Sequence, residues 1–272
     1  MLLSQIGLSG RRLWIGLGVL AAIIAVLSLL STTARDSPKS LRPIMPIMSS
    51  IKLQWGEATM EEIVAGKAEP SPLLERLSER NKPILFDDFQ KLGGVESRPL
   101  LLIQPRALAP RELVQLDRWI RNGGGAIIFA DPALDWPSDL PLGDTRRPLF
   151  TSLLTPMFRH WGVELALPVA EDVSVEAATI GDHRVAPKSP GIWLRAENGR
   201  PSASCRIRTD ELVALCRVGK GQALLIADVD LLHEDRWTDN ALRAGTVGWL
   251  EEVIVAMRSK GPLPDRLWEN AG

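Results

Sequence analysis

An uncharged stretch, apolar but for Ser28, runs from Leu13 to Leu30, LWIGLGVLAAIIAVLSLL. As a helix this stretch measures about 27 Å, close to the roughly 30 Å hydrocarbon core of a bilayer. It lacks the polar stripe that a helix of a soluble protein keeps towards water. The pattern predicts a transmembrane helix over 13–30, with residues 1–12 ahead of it. A polar, proline-bearing stretch comes next, STTARDSPKSLRP, and residues 31–43 read as a linker.

From there on the apolar runs are short and punctuated. Ile44 to Ser49, IMPIMS, is an imperfect strand because of Pro46. Ser71-Pro72 opens a helix, with Ser as the cap and Pro in the first turn. Pro83 to Phe86 and Leu100 to Ile103 are buried-strand runs. A helix from Pro110 places Leu113, Leu116, Trp119 and Ile120 on one face, and a strand follows over Ala126 to Ala130. Gln222 to Ala227 and a helix from Thr238 to about Met257 supply another such unit. Continuous apolar strands alternating with helices predict an α/β domain over 44–260, a mostly parallel sheet with helices on both faces. A helix over Thr151 to Trp161 leads into residues 163–220, whose short alternating runs predict an antiparallel insertion at the sheet edge. Residues 261–272, GPLPDRLWENAG, read as a mobile tail.

The glycine run in WIRNGGGAIIFAD raises the question of a phosphate loop. In such loops glycines follow a strand and open a helix, whose N-terminus supplies the amides. Here the order is reversed, and Gly123 is placed to end a helix in the left-handed conformation. Gly219-Lys220-Gly221 lacks the following Ser or Thr and reads as a hairpin turn. No nucleotide is expected to bind directly, and no cofactor is called for.

Charge changes the picture once. The chain of 272 residues has a formal net charge of −1, which gives no basic surplus for nucleic acid. Residues 1–42 nevertheless carry +4, from Arg11, Arg12, Arg35, Lys39 and Arg42 against Asp36, which leaves −5 for the rest. Arg11 and Arg12 just before the apolar span place the N-terminus in the cytoplasm and the body in the periplasm, although Arg35, Lys39 and Arg42 follow the span and pull the other way. An uncleaved anchor and a secretory signal cut near Thr32-Thr33-Ala34 both fit, and the length of the span favours the anchor. The expected location is the inner membrane, single-pass.

The two cysteines, Cys205 and Cys216, flank Asp210-Glu211. A two-residue turn there sets Thr209 against Leu212 and, in the same register, Cys205 against Cys216, within disulfide range. Two reduced small hydrophobes on a strand face fit the same spacing.

Ligands of open parallel sheets bind beyond the carboxyl ends of the strands. There this chain places Gln54, Trp55, Gly56 and Glu57, then Asp87 and Asp88, Gln104, Asp131, and finally Asp228 and Asp230. The candidate ligand-binding residues are Trp55, Glu57, Asp131, Asp228 and Asp230, with Trp55 as a wall. The same acids equally serve to cap the turns beyond them. No His or Cys joins them at a recognisable metal spacing, so no metal site is assigned. No GxSxG or GxCxG turn is present, and structural or incidental roles fit His160, His183 and His233, so no catalytic residue is assigned either. His233, three residues after Asp230, is the one to test.

Three stretches carry a family resemblance: LLLIQPRALAPRELVQLDRWIRNGGGAIIFADPAL, LFTSLLTPMFRHWGVEL and VGKGQALLIADVDLLHEDRWTDNALRAGTVGWL. In this order the sequence resembles the gliding-motility auxiliary-component family of ABC transport systems over residues 44–258. The resemblance implies a class I glutamine-amidotransferase-like, flavodoxin-like fold on an N-terminal membrane helix, with an ABC permease and its ATPase as partners. The nucleophilic cysteine of the amidotransferase fold has no counterpart here, so no enzymatic activity carries over. Asp228, Asp230, Asp239 and Asn240 match the closing motif. The expected function is a non-catalytic, membrane-anchored extracytoplasmic accessory subunit of an ABC-type transport system. The alternative is a metal-dependent hydrolase or a ligand-binding sensor using the acidic rim.

Overall fold

In the computed structural model the described residues are 42–56, 58–89, 99–138, 140–141, 143–144, 147–168, 177–197, 200–259 and 261–269. The expected transmembrane helix over 13–30, nearly all of the linker, and Glu57 lie outside them. Among the described residues no helix is long and apolar enough to cross a membrane. The chain divides into two compact units, Met1–Arg42 and Pro43–Gly272. The second unit holds every strand and helix described below, from Ile44 onwards.

The centre of this unit is a mixed sheet of seven strands, mostly parallel. Strands β1 (Ile44–Ser49), β2 (Lys82–Leu85), β3 (Leu100–Ile103), β4 (Gly125–Phe129), β9 (Ser204–Ile207), β10 (Val213–Val218) and β11 (Gly221–Ile226) lie in the order β2-β1-β3-β4-β11-β10-β9. The pairs from β2 to β11 are parallel. Strands β10 and β9 are antiparallel additions at one edge. All residues of β3 and β4 are buried, which requires cover on both faces and explains their unbroken apolar sequence. Helix α5 (Asn240–Arg258) supplies part of that cover, with Trp249 edge-on to Phe129 at 6.1 Å between ring centroids. Helix α3 (Pro110–Arg121) buries Leu116 and Ile120 and packs on β10 and β11. Short α1 (Met60–Val64) and α2 (Pro72–Arg80) connect β1 to β2, and the Ser71 hydroxyl accepts the Leu74 amide at the start of α2.

The β2 edge is blunted by its sequence. The amides of Lys82 and Phe86 donate to the carbonyls of Pro43, just before β1, and Ile47 within it, so the backbone N–H positions of residues 83 and 85 face away from β1. One of these is Pro83, which has no N–H to offer a further strand.

The glycine run is a helix terminus. Gly123 has φ +110° and its amide donates to the Ile120 carbonyl at 2.8 Å. A Cβ on Gly124 would lie 2.3 Å from the Trp119 ring. Gly219-Lys220 turns β10 into β11, with Val218 opposite Gly221.

Two expectations need correction. The antiparallel stretch at 163–220 is not a single insertion packed at the sheet edge. Two ribbons, β5 (Val163–Ala166) with β8 (Ile192–Arg195) and β6 (Ala178–Ile180) with β7 (His183–Val185), stand apart from the main sheet, and α4 (Thr155–Trp161) leads into the first. Strands β9 and β10 instead extend the main sheet, because β10 carries a run, VALCRV, buried at all but Arg217. The segment 261–269 is not a mobile tail. Leu263, Leu267 and Trp268 are buried, and Gln222 holds the segment by donating to the Gly261 carbonyl at 3.1 Å and accepting from the Leu263 amide at 3.0 Å. Trp249 donates to the Leu267 carbonyl at 2.7 Å, and Arg206 lies 4.5 Å over the Trp268 ring. Apolar burial outweighs the polar, proline-rich look of the sequence here.

Candidate functional site

Strands β3, β4 and β11 lie side by side and parallel, so their carboxyl ends come together. The residues there are Gln104 after β3, Asp131 after β4, and Asp228 and Asp230 after β11. Gln104, Asp131 and Asp228 are fully buried and Asp230 is 1% exposed. Each of the three aspartates offers a carboxylate oxygen within 4.8 Å of those of the other two.

Gln104 fixes the first of them. Its backbone takes φ +39°, unusual for a side chain with a Cβ. Its Oε1 accepts the Asp131 amide at 2.9 Å, while its Nε2 donates to the carbonyls of Asp131 and Leu149. The Asp131 carboxylate then accepts from the amides of Ala133 at 2.8 Å and Val229 at 3.1 Å. Asp228 accepts from Leu231, three residues on, and from Lys188, both at 2.8 Å. Asp230 Oδ2 accepts the Asp135 amide at 3.0 Å. Five of the six oxygens are therefore bonded to backbone N–H groups. The sixth, Asp230 Oδ1, is buried without a hydrogen-bond partner.

Burial dominates the electrostatics. It pushes the Asp131 carboxyl up to about 7, against the pull of its two amide donors, with the charge of Asp230 adding to the rise. Asp228 is raised well above the usual carboxylate range by burial and then by Asp131. Asp230 is raised by burial as well. Lys188 does not offset this by direct pairing, since its Nζ bonds to Asp135 at 2.8 Å.

The other candidate residues lie elsewhere. Trp55 is 47% exposed and takes no part in the carboxylate hydrogen bonding, while Glu57 lies outside the described residues. Asp87 follows β2, which β1 separates from β3, and its carbonyl accepts from Arg106. Asp239 caps α5 by accepting the Leu242 amide at 2.7 Å. His233 packs edge-on against Trp136 at 4.5 Å and accepts the Asp235 amide through Nδ1. His160 lies in α4, and His183, in β7, sits 3.4 Å from Glu252. Sequence reasoning missed Lys188 and Asp135, whose amides reach the cluster from loops 40 and 95 residues away. No local pattern marks such donors.

Cys205 and Cys216 are opposed in the β9–β10 register and joined in a disulfide. They are the only cysteines of the chain.

Residues 78–199 match the model of a family described as an ABC-type uncharacterized transport system. No curated protein matches the chain. Among solved structures, an exo-β-1,4-mannosidase from Opitutaceae bacterium strain TAV5 is similar at 13% identity and TM-score 0.40, over 79% of this chain and 36% of that one. The N-terminal domain of mmIFT52 is similar at 11% identity and TM-score 0.41, over 76% of this chain and 96% of that one. A β-galactosidase from Rahnella sp. R3 is similar at 11% identity and TM-score 0.38, over 78% and 31%. The chain thus spans about a third of the two glycosidases. Overlaps at this level carry no functional implication.

Proposed function

We propose that the chain is a non-catalytic, membrane-anchored, extracytoplasmic accessory subunit of an ABC-type transport system. The observation that carries this reading is the match of residues 78–199 to the ABC-type transport family model. That stretch includes β3, α3 and the glycine turn into β4, the same elements that resemble the gliding-motility auxiliary components. The uncharged span over 13–30 supports the anchor, and the basic residues ahead of it support a periplasmic body. A disulfide suits an oxidising compartment. Because both cysteines are engaged in it, no thiol is left to act as the nucleophile of an amidotransferase-like site. The energy source belongs to the partners, a permease and its ATPase.

Deletion of the gene tests the reading. Quantitative proteomics of the membrane fraction is expected to show one permease–ATPase pair depleted, or its transport lowered, in the deletion strain. Unchanged levels and unchanged transport for every such pair would reject it.

A further inference from the structure

The cluster at the ends of β4 and β11 combines two features that hydrogen bonding within the fold leaves unresolved. Three carboxylates are buried together, and among the described residues no Lys or Arg side chain bonds to any of them. Keeping three such carboxylates ionised in the interior is expensive, and Lys188, whose Nζ pairs with Asp135, acts on Asp230 only through space. In addition, Asp230 Oδ1 is a buried acceptor with no donor. A purely capping role accounts for the five amide-bonded oxygens and leaves this sixth oxygen unexplained. Each carboxylate oxygen that accepts one N–H keeps a further lone pair, so the bonded oxygens remain able to ligate.

We infer that Asp131, Asp228 and Asp230 form a binding site for one hard divalent cation, with Asp230 Oδ1 as its open ligand. The donor set is oxygen alone, which suits calcium, magnesium or manganese rather than zinc. His233 stands outside the set, since only Asp131, Asp228 and Asp230 bring ligand atoms within 4.8 Å of one another there. The amide donors from Ala133, Val229, Leu231, Lys188 and Asp135 orient the carboxylates as the supporting hydrogen bonds of a metal site do. The site stands or falls independently of the transport role.

The test uses the full-length chain in detergent, stripped with a chelator and titrated calorimetrically with CaCl2, MgCl2 and MnCl2 in separate runs. Saturable binding of one ion per chain is expected for at least one of the three. Asp230→Asn is expected to weaken it by about tenfold or more. Asp228→Asn serves as the second variant, and Asp265→Asn, on the surface, should leave binding unchanged. The wild-type chain also gives a readout that needs no variant. The bound ion should slow hydrogen exchange at the amides of Ala133, Lys188, Val229 and Leu231. Absence of binding up to about 10 mM of all three ions, well above weak calcium sites, overturns the inference. So does an ion that binds without slowing those amides, or binding that both cluster variants retain in full.

Discussion

The Val229 amide donates to Asp131 Oδ2 at 3.1 Å, across 98 residues of sequence. This bond ties the end of β11 to the end of β4 and makes the acidic rim part of the fold's interior. Asp131→Ala would leave the buried amide of Val229 and the half-buried amide of Ala133 without acceptors. The expected cost is about 2–4 kcal/mol, measured by urea unfolding in chelator so that no cation contributes. A loss below about 1 kcal/mol would mean that water replaces the carboxylate.

Glycine substitutions should separate close approach from free space. A Cβ on Gly221 would lie 2.1 Å from the Ile120 carbonyl oxygen and 2.2 Å from that of Gly124, both backbone atoms. Gly221→Ala is expected to destabilise by about 1–3 kcal/mol or more. Gly248, in the middle of α5, has nothing within 4 Å of its Cβ position. Gly248→Ala is expected to stabilise by about 0.5–1 kcal/mol. Thermal unfolding of the two variants checks both signs.

Acid should weaken the start of α3. Arg106 donates to both oxygens of Glu112, at 2.6 and 3.0 Å, and the Ala109 amide adds a bond of 2.8 Å. The Arg106 hydrogen bonds, with the Ala109 amide, hold the Glu112 carboxyl down at about 2. A carboxyl depressed on folding contributes stability above its unfolded pKa and loses that contribution as pH falls through the folded value. The unfolding free energy should therefore decline between about pH 4.5 and 2. Glu112→Gln should flatten this limb, as monitored by urea titrations at successive pH values. An unchanged limb would remove Glu112 from the acid response.

The hairpin disulfide closes a short loop, with a separation of 11 residues. Protein isolated without reductant is expected to present no reactive thiol. Reduction, or the pair Cys205→Ser and Cys216→Ser, should cost about 2–3 kcal/mol. Two reactive thiols in freshly isolated protein would contradict the oxidised state.

Much of this architecture was readable along the chain, because local rules and burial agree there. Leu100 to Ile103 is a continuous apolar run, and both faces of the strand are covered. The α3 helix announces itself by Pro110 at its start, its apolar face, and Gly123 at its end. The register of Cys205 and Cys216 comes from counting outward from one turn. Three acids of the rim were readable as strand ends. Their burial was not, since it depends on loops that return from Ala133, Asp135 and Lys188. Trp55 was placed at the same rim by position after a strand, yet the chain carries it outward to 47% exposure. The C-terminal segment misled through its prolines. Leu263, Leu267 and Trp268 were the apolar signal, and their partners, Gln222 and Trp249, lie 41 and 18 residues earlier for Leu263 and Leu267 respectively.

The accessory-subunit reading meets its most direct test in affinity isolation of the tagged full-length chain from its native membranes in mild detergent, with every co-isolated protein identified. An ABC permease and its ATPase, recovered in fixed ratio to the chain and lost when the tag is placed on an unrelated membrane protein, is the expected result. Repeated recovery of the chain alone, with neither partner enriched, would contradict it.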